Sequence, residues 1–273
     1  MERKAKKGAL KAKRATLKER RENPLYTDAL LLKGNNKLLD YDNAETGERI
    51  RYAQCNTSAI VCCPFASEGC KAVCYATKGN HLYPSVNDSR VRSTEETKRP
   101  DFAEAMTYTI RTEMESKRYK GNTMEIRIHE SGDFYSLQYL KKWVQIWKNL
   151  ENTLSVRYCL YTKSFPFFLM LSDAESDVIN RQLESGKLAI SFSIDDTTTP
   201  AQMETYEKAR ARYPLANTYH VTENPDNVEH DNVCDCKDCA RCGHCLRTDG
   251  KTVVVKIHSA SASDMETYRA NIL

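Results

Sequence analysis

Long apolar segments are missing from this chain. None of its 273 residues belongs to an uninterrupted apolar run approaching the ~18 residues that a membrane-spanning helix needs. The N-terminus, MERKAKKGALKAKRATLKERR, is basic and lacks the apolar core and small-residue cleavage site of a secretory signal peptide. We therefore expect a soluble, intracellular protein with no membrane partner.

Disulfide bonds are not expected either, although the chain contains 11 cysteines. In a reducing cytosol, clustered cysteines more often bind metal or carry out redox chemistry. Disulfide scaffolds suit chains too short to bury a core, whereas this chain is 40% hydrophobic and long enough for one large domain or two small ones. The cysteine clusters therefore indicate metal binding or redox function.

Net positive charge is absent from most of the chain. Residues 1–21 contain ten Lys or Arg and two Glu, a local balance of +8, whereas the remaining residues contain 31 basic and 35 acidic side chains, a balance of −4. We interpret residues 1–25 as a basic arm that is either a solvated tail or a contact for nucleic acid or an acidic partner. Residues 26–273 are predicted to form a single domain.

Strand and helix patterns alternate at least four times after residue 121, which is typical of a parallel sheet with crossover helices. A unit of roughly 30 residues favours an α/β fold of the (β/α) barrel or partial-barrel type, with a doubly wound open sheet as the alternative. Strands are predicted at 57–61, 123–130, 155–164, 187–195, 217–223 and 252–259. Helices are predicted at 85–118 with a break near Pro100, 136–150, 173–184, 199–213 and 262–271.

Polar residues follow these strands, at the edge where function is usually found in parallel α/β proteins. Taken singly, each has an ordinary explanation as a cap or a solvated loop residue. As a group on one edge they favour a site. We predict a pocket formed by His129, Glu130, Asp133 and Lys163, in which His129 or Lys163 donates a proton.

Two cysteine-rich loops, at 55–75 and 234–245, also follow predicted strands and are expected over the same edge. The first has the spacing C-x6-C-x3-C and the second C-x-C-x2-C-x2-C-x2-C. The long spacer between two C-x2-C pairs that zinc sites usually have is missing, whereas serial C-x2-C spacing resembles iron–sulfur loops. Zinc stays an alternative. The predicted ligands are Cys63, Cys70 and Cys74 for one cluster, and four of Cys234, Cys236, Cys239, Cys242 and Cys245 for another.

Four segments resemble the phage gene-product-88 family: CCPFASEGCKAVCYA, RIHESGDFYS, YCLYTKS and ISFS. The resemblance covers roughly residues 30–260, and the first segment is its most specific part. It implies a bacteriophage origin and a location in the host cytoplasm. It also implies a family signature that comprises Cys63, Cys70, Cys74, His129, Asp133 and Lys163. It implies no particular reaction.

Three functional hypotheses follow. The first is an iron–sulfur redox enzyme with two clusters of the 4Fe-4S type, acting on a small molecule or receiving electrons from a donor that the sequence does not identify. The second is a radical-SAM-like enzyme on a partial barrel, although C-x6-C-x3-C departs from the C-x3-C-x2-C spacing of such enzymes. The third is a zinc-stabilised protein that binds nucleic acid through residues 1–21.

Overall fold

The computed structural model describes residues 16–33, 40–42, 47–234, 243–257 and 260–272. Residues 16–21 are helical. The strands are β1 (Leu30–Leu31), β2 (Tyr41–Asp42), β3 (Arg49–Cys55), β4 (Thr123–Ile128), β5 (Val156–Thr162), β6 (Leu188–Asp195), β7 (Asn217–Thr222), β8 (Asn232–Cys234) and β9 (Thr252–Lys256). After residue 21, the α-helices in the described ranges are α1 (Glu68–Ala72), α2 (Pro84–Lys98), α3 (Phe102–Met114), α4 (Leu137–Asn149), α5 (Phe165–Leu169), α6 (Asp173–Glu184), α7 (Pro200–Arg212) and α8 (Ala262–Arg269). Short 3₁₀ segments occupy Tyr75–Thr77, Gly79–Leu82, Pro225–Asn227 and His244–Leu246.

The strands form one mixed, mostly parallel sheet. Their order is β1-β3-β4-β5-β6-β7-β9-β8, and β2 also pairs with β3. All neighbours from β3 to β8 in this order are parallel, whereas β1 and β2 run antiparallel to β3. The order does not reverse at a switch point as it does in doubly wound sheets. In the described part of the chain β1 and β8 stay unpaired with each other, so the α/β class is confirmed but a closed barrel is not.

Helices begin where the sequence provides caps. The hydroxyls of Ser172, Thr199 and Ser261 each accept a hydrogen bond from the backbone N–H three residues later, which the reciprocal side chain completes as a capping box. Pro200 then occupies the first turn of α7, where its missing N–H costs no helical hydrogen bond. These local signals explain why the predicted helix starts agree with the structure.

One face of the sheet packs against the helices. Leu140, Trp143 and Trp147 of α4 are fully buried, and they belong to one apolar cluster with the alternating residues Met124, Ile126 and Ile128 of β4. Burying an aromatic side chain removes about 150–250 Å² of surface from water, which favours folding strongly before chain entropy is subtracted. The core therefore lies between the sheet and this helical layer.

The opposite face of the sheet, here called the polar face, carries different chemistry. It is defined by Gln54, Glu125, Arg127, Arg157, Tyr161 and Ser193, which share a face by strand register. The 3₁₀ segment His244–Leu246 lies over it. Leu246 packs against Ile50 and Tyr52 at one side of the sheet, and Cys245 packs in the cluster of Tyr219 and Val253 at the other.

One predicted strand, at 57–61, is wrong. The backbone there turns, with the N–H of Cys62 bonded to the carbonyl of Ser58 at 3.1 Å. Ile60 adopts a left-handed φ of 64°, and Val61 is 84% exposed. The β-branched pair resembled a strand, but a turn places it at the surface. The strand that precedes the first cysteine loop is β3, which the sequence analysis did not identify.

Candidate functional site

A buried ion pair lies at the carboxyl edge of the sheet. Lys163 follows β5 and Asp195 ends β6, and the Nζ–Oδ2 distance is 2.7 Å with side chains 9% and 2% exposed. Lys163 Nζ also donates to the carbonyl of Ser193 at 3.3 Å. Burial opposes ionisation of Asp195, but Lys163 together with hydrogen bonds from Ser67 and Thr197 outweighs it and lowers the pKa of this carboxyl. The edge therefore holds a fixed ammonium group.

Asp195 also anchors the helix that carries Cys70. The hydroxyl of Ser67 donates to Asp195 Oδ2 at 2.5 Å and caps α1 by accepting from the N–H of Cys70 at 3.1 Å. Thr197 donates to Asp195 Oδ1 through its N–H at 2.9 Å and its hydroxyl at 2.5 Å. The same hydroxyl accepts from the N–H of Gly69 at 2.9 Å. The first turn of α1 is thus attached to the end of β6.

Gly69 makes this approach sterically feasible. A Cβ at this position would lie 2.5 Å from Thr197 Oγ1 and 2.7 Å from the ring of Tyr268 on α8. Both distances are shorter than real Cβ contacts, so the helix can approach Thr197 and α8 only with glycine here. The close approach fixes the position of the neighbouring Cys70.

Asp133 joins the next two loops. Its Oδ1 accepts from the hydroxyl of Thr162 at 2.6 Å and from the N–H of Phe134 at 2.7 Å, and its Oδ2 accepts from the N–H of Lys163 at 2.9 Å. Burial raises the pKa of Asp133 to about 6, although these hydrogen bonds favour its ionised form. The carboxyl therefore holds the backbone of Lys163 in place.

The first cysteine loop is attached to the Asp133 loop. The N–H of Asp133 donates to the carbonyl of Cys62 at 3.1 Å. Gly132 has a φ of 79°, and a Cβ there would lie 2.0 Å from Thr57 Oγ1, so only glycine suits both the conformation and the contact. The loops after β3 and β4 are therefore packed against each other.

Cys63, Cys70 and Cys74 share one electrostatic environment. Burial raises the pKa of Cys63, and the negative charges of Asp133, Cys70 and Cys74 raise it further. Burial raises the pKa of Cys70 to about 11 against the opposing effect of Lys163, while Asp195, Cys74 and Asp133 add to the rise. The structure thus brings together Cys63, Cys70, Cys74, Asp133 and Lys163, all of which were predicted from the sequence, and adds Asp195.

His129 points away from this group. It is 3% exposed, its Nε2 lies 3.0 Å from the hydroxyl of Tyr139 in α4, and its ring contacts Phe134 edge-on at 4.7 Å. Burial lowers its pKa to about 3, so the ring is neutral at physiological pH. Its φ of 65° is left-handed. The structure places His129 against the helical layer.

Glu130 lies beside the first loop. Its carboxylate Oε2 accepts from Asn56 Nδ2 at 3.4 Å, and its N–H donates to Asn56 Oδ1 at 2.8 Å. Its carbonyl accepts a hydrogen bond from the hydroxyl of Tyr75, the residue after Cys74. Glu130 therefore connects the end of β4 to the segment that follows the three cysteines.

The second cysteine cluster is described in part. Cys234 ends β8 at the carboxyl edge and is 6% exposed, in an apolar cluster with Val253, Val255 and, at its border, Cys245. Cys236, Cys239 and Cys242 lie outside the described residues. No group of three or more His, Cys, Asp or Glu in the described ranges, Cys63, Cys70 and Cys74 included, is arranged as a site for a metal ion. Ligation by either cysteine cluster stays a prediction.

Two features of the site were missed from the sequence. Ser67 precedes a short helix in the pattern expected of an N-cap, so the capping rule had the information to identify it. Arg127 alternates with buried residues of a central strand. A charged residue at such a position indicates a special environment on the second face of the sheet, and this signal was present in the sequence. The partners of these residues are distant in the sequence.

A sequence model of the family described as Gene product 88 matches residues 29–248. The chain belongs to this family. A Gene product 88 relative, the Gene 88 protein of Mycobacterium phage L5, is 27% identical over 202 residues, which cover 67% of this chain and 77% of the relative. The family prediction is confirmed, and this relative supports a bacteriophage origin. No solved structure matches this Gene product 88 chain.

The helices of this Gene product 88 protein bear on the membrane prediction. None of those in the described ranges combines the length and apolar composition that a bilayer-spanning helix requires.

Proposed function

We propose that Cys63, Cys70 and Cys74 bind an iron–sulfur cluster, and that the protein carries out redox chemistry at the carboxyl edge of the sheet. The observation that supports this is the mutual electrostatic influence of the three thiols. Cys63 also feels the charge of Asp133, and Cys70 feels those of Asp133, Lys163 and Asp195. The donors fit such a cluster because all three are sulfurs. Each thiolate of a cubane binds a different iron, which requires wider spacing than ligands around one ion.

The residues around the thiols would position a substrate. Lys163 uses two N–H groups for Asp195 and Ser193 in the described structure, which leaves a third for a bound molecule. Its ammonium group can therefore hold an anionic group or a proton near the thiols. A bound cluster would supply one-electron transfer, tuned by burial and by hydrogen bonds to sulfur.

The second cluster completes the proposal. Four of the five cysteines between Cys234 and Cys245 would bind it, and the two described ones bracket this segment. Cys245 packs in the cluster of Tyr219 and Val253, so the returning end of the segment lies over the sheet. Burial raises the pKa of Tyr161 on the polar face, and a thiolate at Cys245 adds to the rise. A second centre there would be placed to pass electrons to the first.

Metal analysis of the full chain after anaerobic purification tests the proposal. We expect iron and acid-labile sulfide in equal amounts, on the order of four to eight each per chain, and a brown protein. Zinc without sulfide would contradict it and support a zinc-stabilised protein. A nucleic-acid-binding assay would test this alternative. Binding should weaken with salt and be lost on deletion of residues 1–21.

Neighbouring cysteines provide a matched pair of variants. Cys63→Ala should remove about four irons per chain, whereas Cys62→Ser should retain them, because the Cys62 thiol forms hydrogen bonds with Thr94, Ser58 and Thr57. Equal iron content in the two variants would contradict the assignment of Cys63.

A radical-SAM-like reaction is a second candidate. The consecutive order of the parallel strands from β3 to β7 supports it, because a chain that winds in one direction builds a partial barrel. The cysteine spacing differs from that of such enzymes. Cleavage of S-adenosylmethionine by the chemically reduced protein would favour this reaction, and reversible reduction without cleavage would favour simple electron transfer.

A further inference from the structure

Arg127 is the starting point for a second site, on the polar face. Its guanidinium lies over the ring of Tyr161, 5.1 Å from the centroid. Its Nε is buried and has no hydrogen-bond partner among the residues that the structure describes. Glu130 acts on Arg127 electrostatically. A buried guanidinium N–H without an acceptor costs free energy, which an acceptor on a bound molecule would offset.

Other arginines in the interior differ from Arg127. Arg157, on the same face, lies 3.2 Å from Glu48 and 3.6 Å from Glu125. Arg90 donates to the carbonyl of Ala76 at 3.1 Å and contacts His81 Nδ1 at 2.5 Å. Described residues therefore supply acceptors to Arg157 and Arg90, whereas none of them supplies one to the Nε of Arg127.

Gln54 lies next to Arg127 and has an unused acceptor. The two residues are direct partners in the register of β3 and β4, so their side chains are neighbours on the polar face. Gln54 is 9% exposed, and its Oε1 is buried with no hydrogen bond in the described part of the chain. A buried donor and a buried acceptor, each without a hydrogen-bond partner in the described ranges, thus lie side by side.

The position of this pair connects it to the carboxyl edge. Arg127 is the last but one residue of β4, and its charge acts on Tyr75, which directly follows Cys74. Tyr75 is held by its hydrogen bond to the carbonyl of Glu130. A ligand on Arg127 would therefore lie below the loop that carries the three cysteines.

We propose that Arg127 and Gln54 form a binding site for a small organic anion. The planar guanidinium fork suits a carboxylate or a phosphate group, and Gln54 Oε1 suits a hydroxyl or N–H donor on the same molecule. The ring of Tyr161 holds the guanidinium plane in position. This site does not depend on metal binding by the cysteines.

Calorimetric titration of the full chain with three probes tests the site: inorganic phosphate, succinate and malate. Malate differs from succinate by one hydroxyl group, which Gln54 is placed to accept. We expect saturable binding either of phosphate or of the two dicarboxylates. Which of them binds shows whether the site takes a phosphate or a carboxylate group. Arg127→Gln should weaken it by about tenfold or more. Gln54→Leu should remove the preference for malate over succinate.

Matched variants keep the test independent of folding and of metal content. Arg111→Gln alters an exposed arginine of α3, whose Nη2 bonds to the carbonyl of Asn149, and should bind like the unmodified chain. Arg127→Lys keeps the charge but loses the fork, and serves if Arg127→Gln does not fold. Equal binding by the Arg127 and Arg111 variants, or no saturable binding of any probe by the unmodified chain, would overturn the proposal. Iron loss in Cys63→Ala should leave anion binding intact.

Discussion

Arg21 forms a two-point ion pair with Glu113, a residue of α3 whose side chain has no exposed surface. Arg21 Nε and Nη2 each lie 2.7 Å from a different carboxylate oxygen, and the hydroxyl of Tyr26 donates to the same group at 3.0 Å. The segment before β1 is therefore attached to the helical layer by a buried carboxylate. Residues 1–15 lie outside the described residues.

Arg21→Ala should lower the free energy of unfolding by about 2–3 kcal/mol. Removing one partner leaves a buried charge uncompensated, which costs about 3–5 kcal/mol in fully buried pairs, and Arg21 is 41% exposed. Urea denaturation measures the change. Adding Glu113→Gln to Arg21→Ala should recover part of the loss, because no charge is then left buried. A double variant less stable than Arg21→Ala would contradict this account.

Glu125 should make stability depend on pH. Burial raises its pKa to about 7, against the opposing effect of Arg157. The folded state therefore retains a proton that the unfolded state releases near pH 4.5, so the contribution of Glu125 to stability is lost as the pH rises through about 7. The difference in free energy of unfolding between Glu125→Gln and the unmodified chain should therefore change in favour of the variant by up to about 3 kcal/mol from pH 4.5 to pH 8.5.

Denaturant titrations of the unmodified chain and of Glu125→Gln at several pH values check this prediction. Arg157 keeps its ion pair with Glu48 in the variant, so the comparison isolates the carboxyl of Glu125. A stability difference that is constant between pH 4.5 and 8.5 would show that Glu125 does not titrate as expected.

Asp195→Asn should destabilise the protein by about 3–5 kcal/mol, because Lys163 would remain as a buried ammonium group without a counter-charge. Asp173→Asn provides the control, since Asp173 is fully exposed in its ion pair with Arg212, and such pairs contribute less than about 1 kcal/mol. Thermal unfolding of both variants at pH 7 measures the difference.

Gly69→Ala adds only one methyl group but should disturb the candidate site. The new methyl would meet Thr197 and Tyr268, and overpacking of this kind costs about 1–3 kcal/mol. Lys71→Ala lies in the same helix, at an exposed ion pair with Glu68, and should have almost no effect. Stability and iron content should both fall for Gly69→Ala only. Equal behaviour of the two variants would show that the close approach is unimportant.

Local patterns predicted much of the fold. The alternation of Met124, Ile126 and Ile128 and the cap at Thr199 are short-range signals, and the structure agrees with both. β3 was not identified, because its sequence RIRYAQC mixes charged and apolar residues. Both of its faces are covered, so the simple alternation of a half-buried strand is absent.

The site was predictable as a set of residues but not as a network. Strand ends and cysteine spacing indicated Asp133, Lys163 and Cys63. The pairing of Lys163 with Asp195 depends on β5 lying beside β6, and the environment of Arg127 depends on which face each strand presents. Such relations are set by long-range register, which a single sequence does not encode in any short segment.

The contact between Gly69 and Tyr268 has a consequence for synthesis. Helix α8 packs against α1, so the cysteine loop obtains one of its supports from residues made about 194 positions after Cys74. At 5–20 residues per second, this is a delay on the order of 10–40 s. During that time the thiols have emerged on a nascent chain in which the candidate site is incomplete. Loading of any cofactor into the finished site must therefore follow translation of α8.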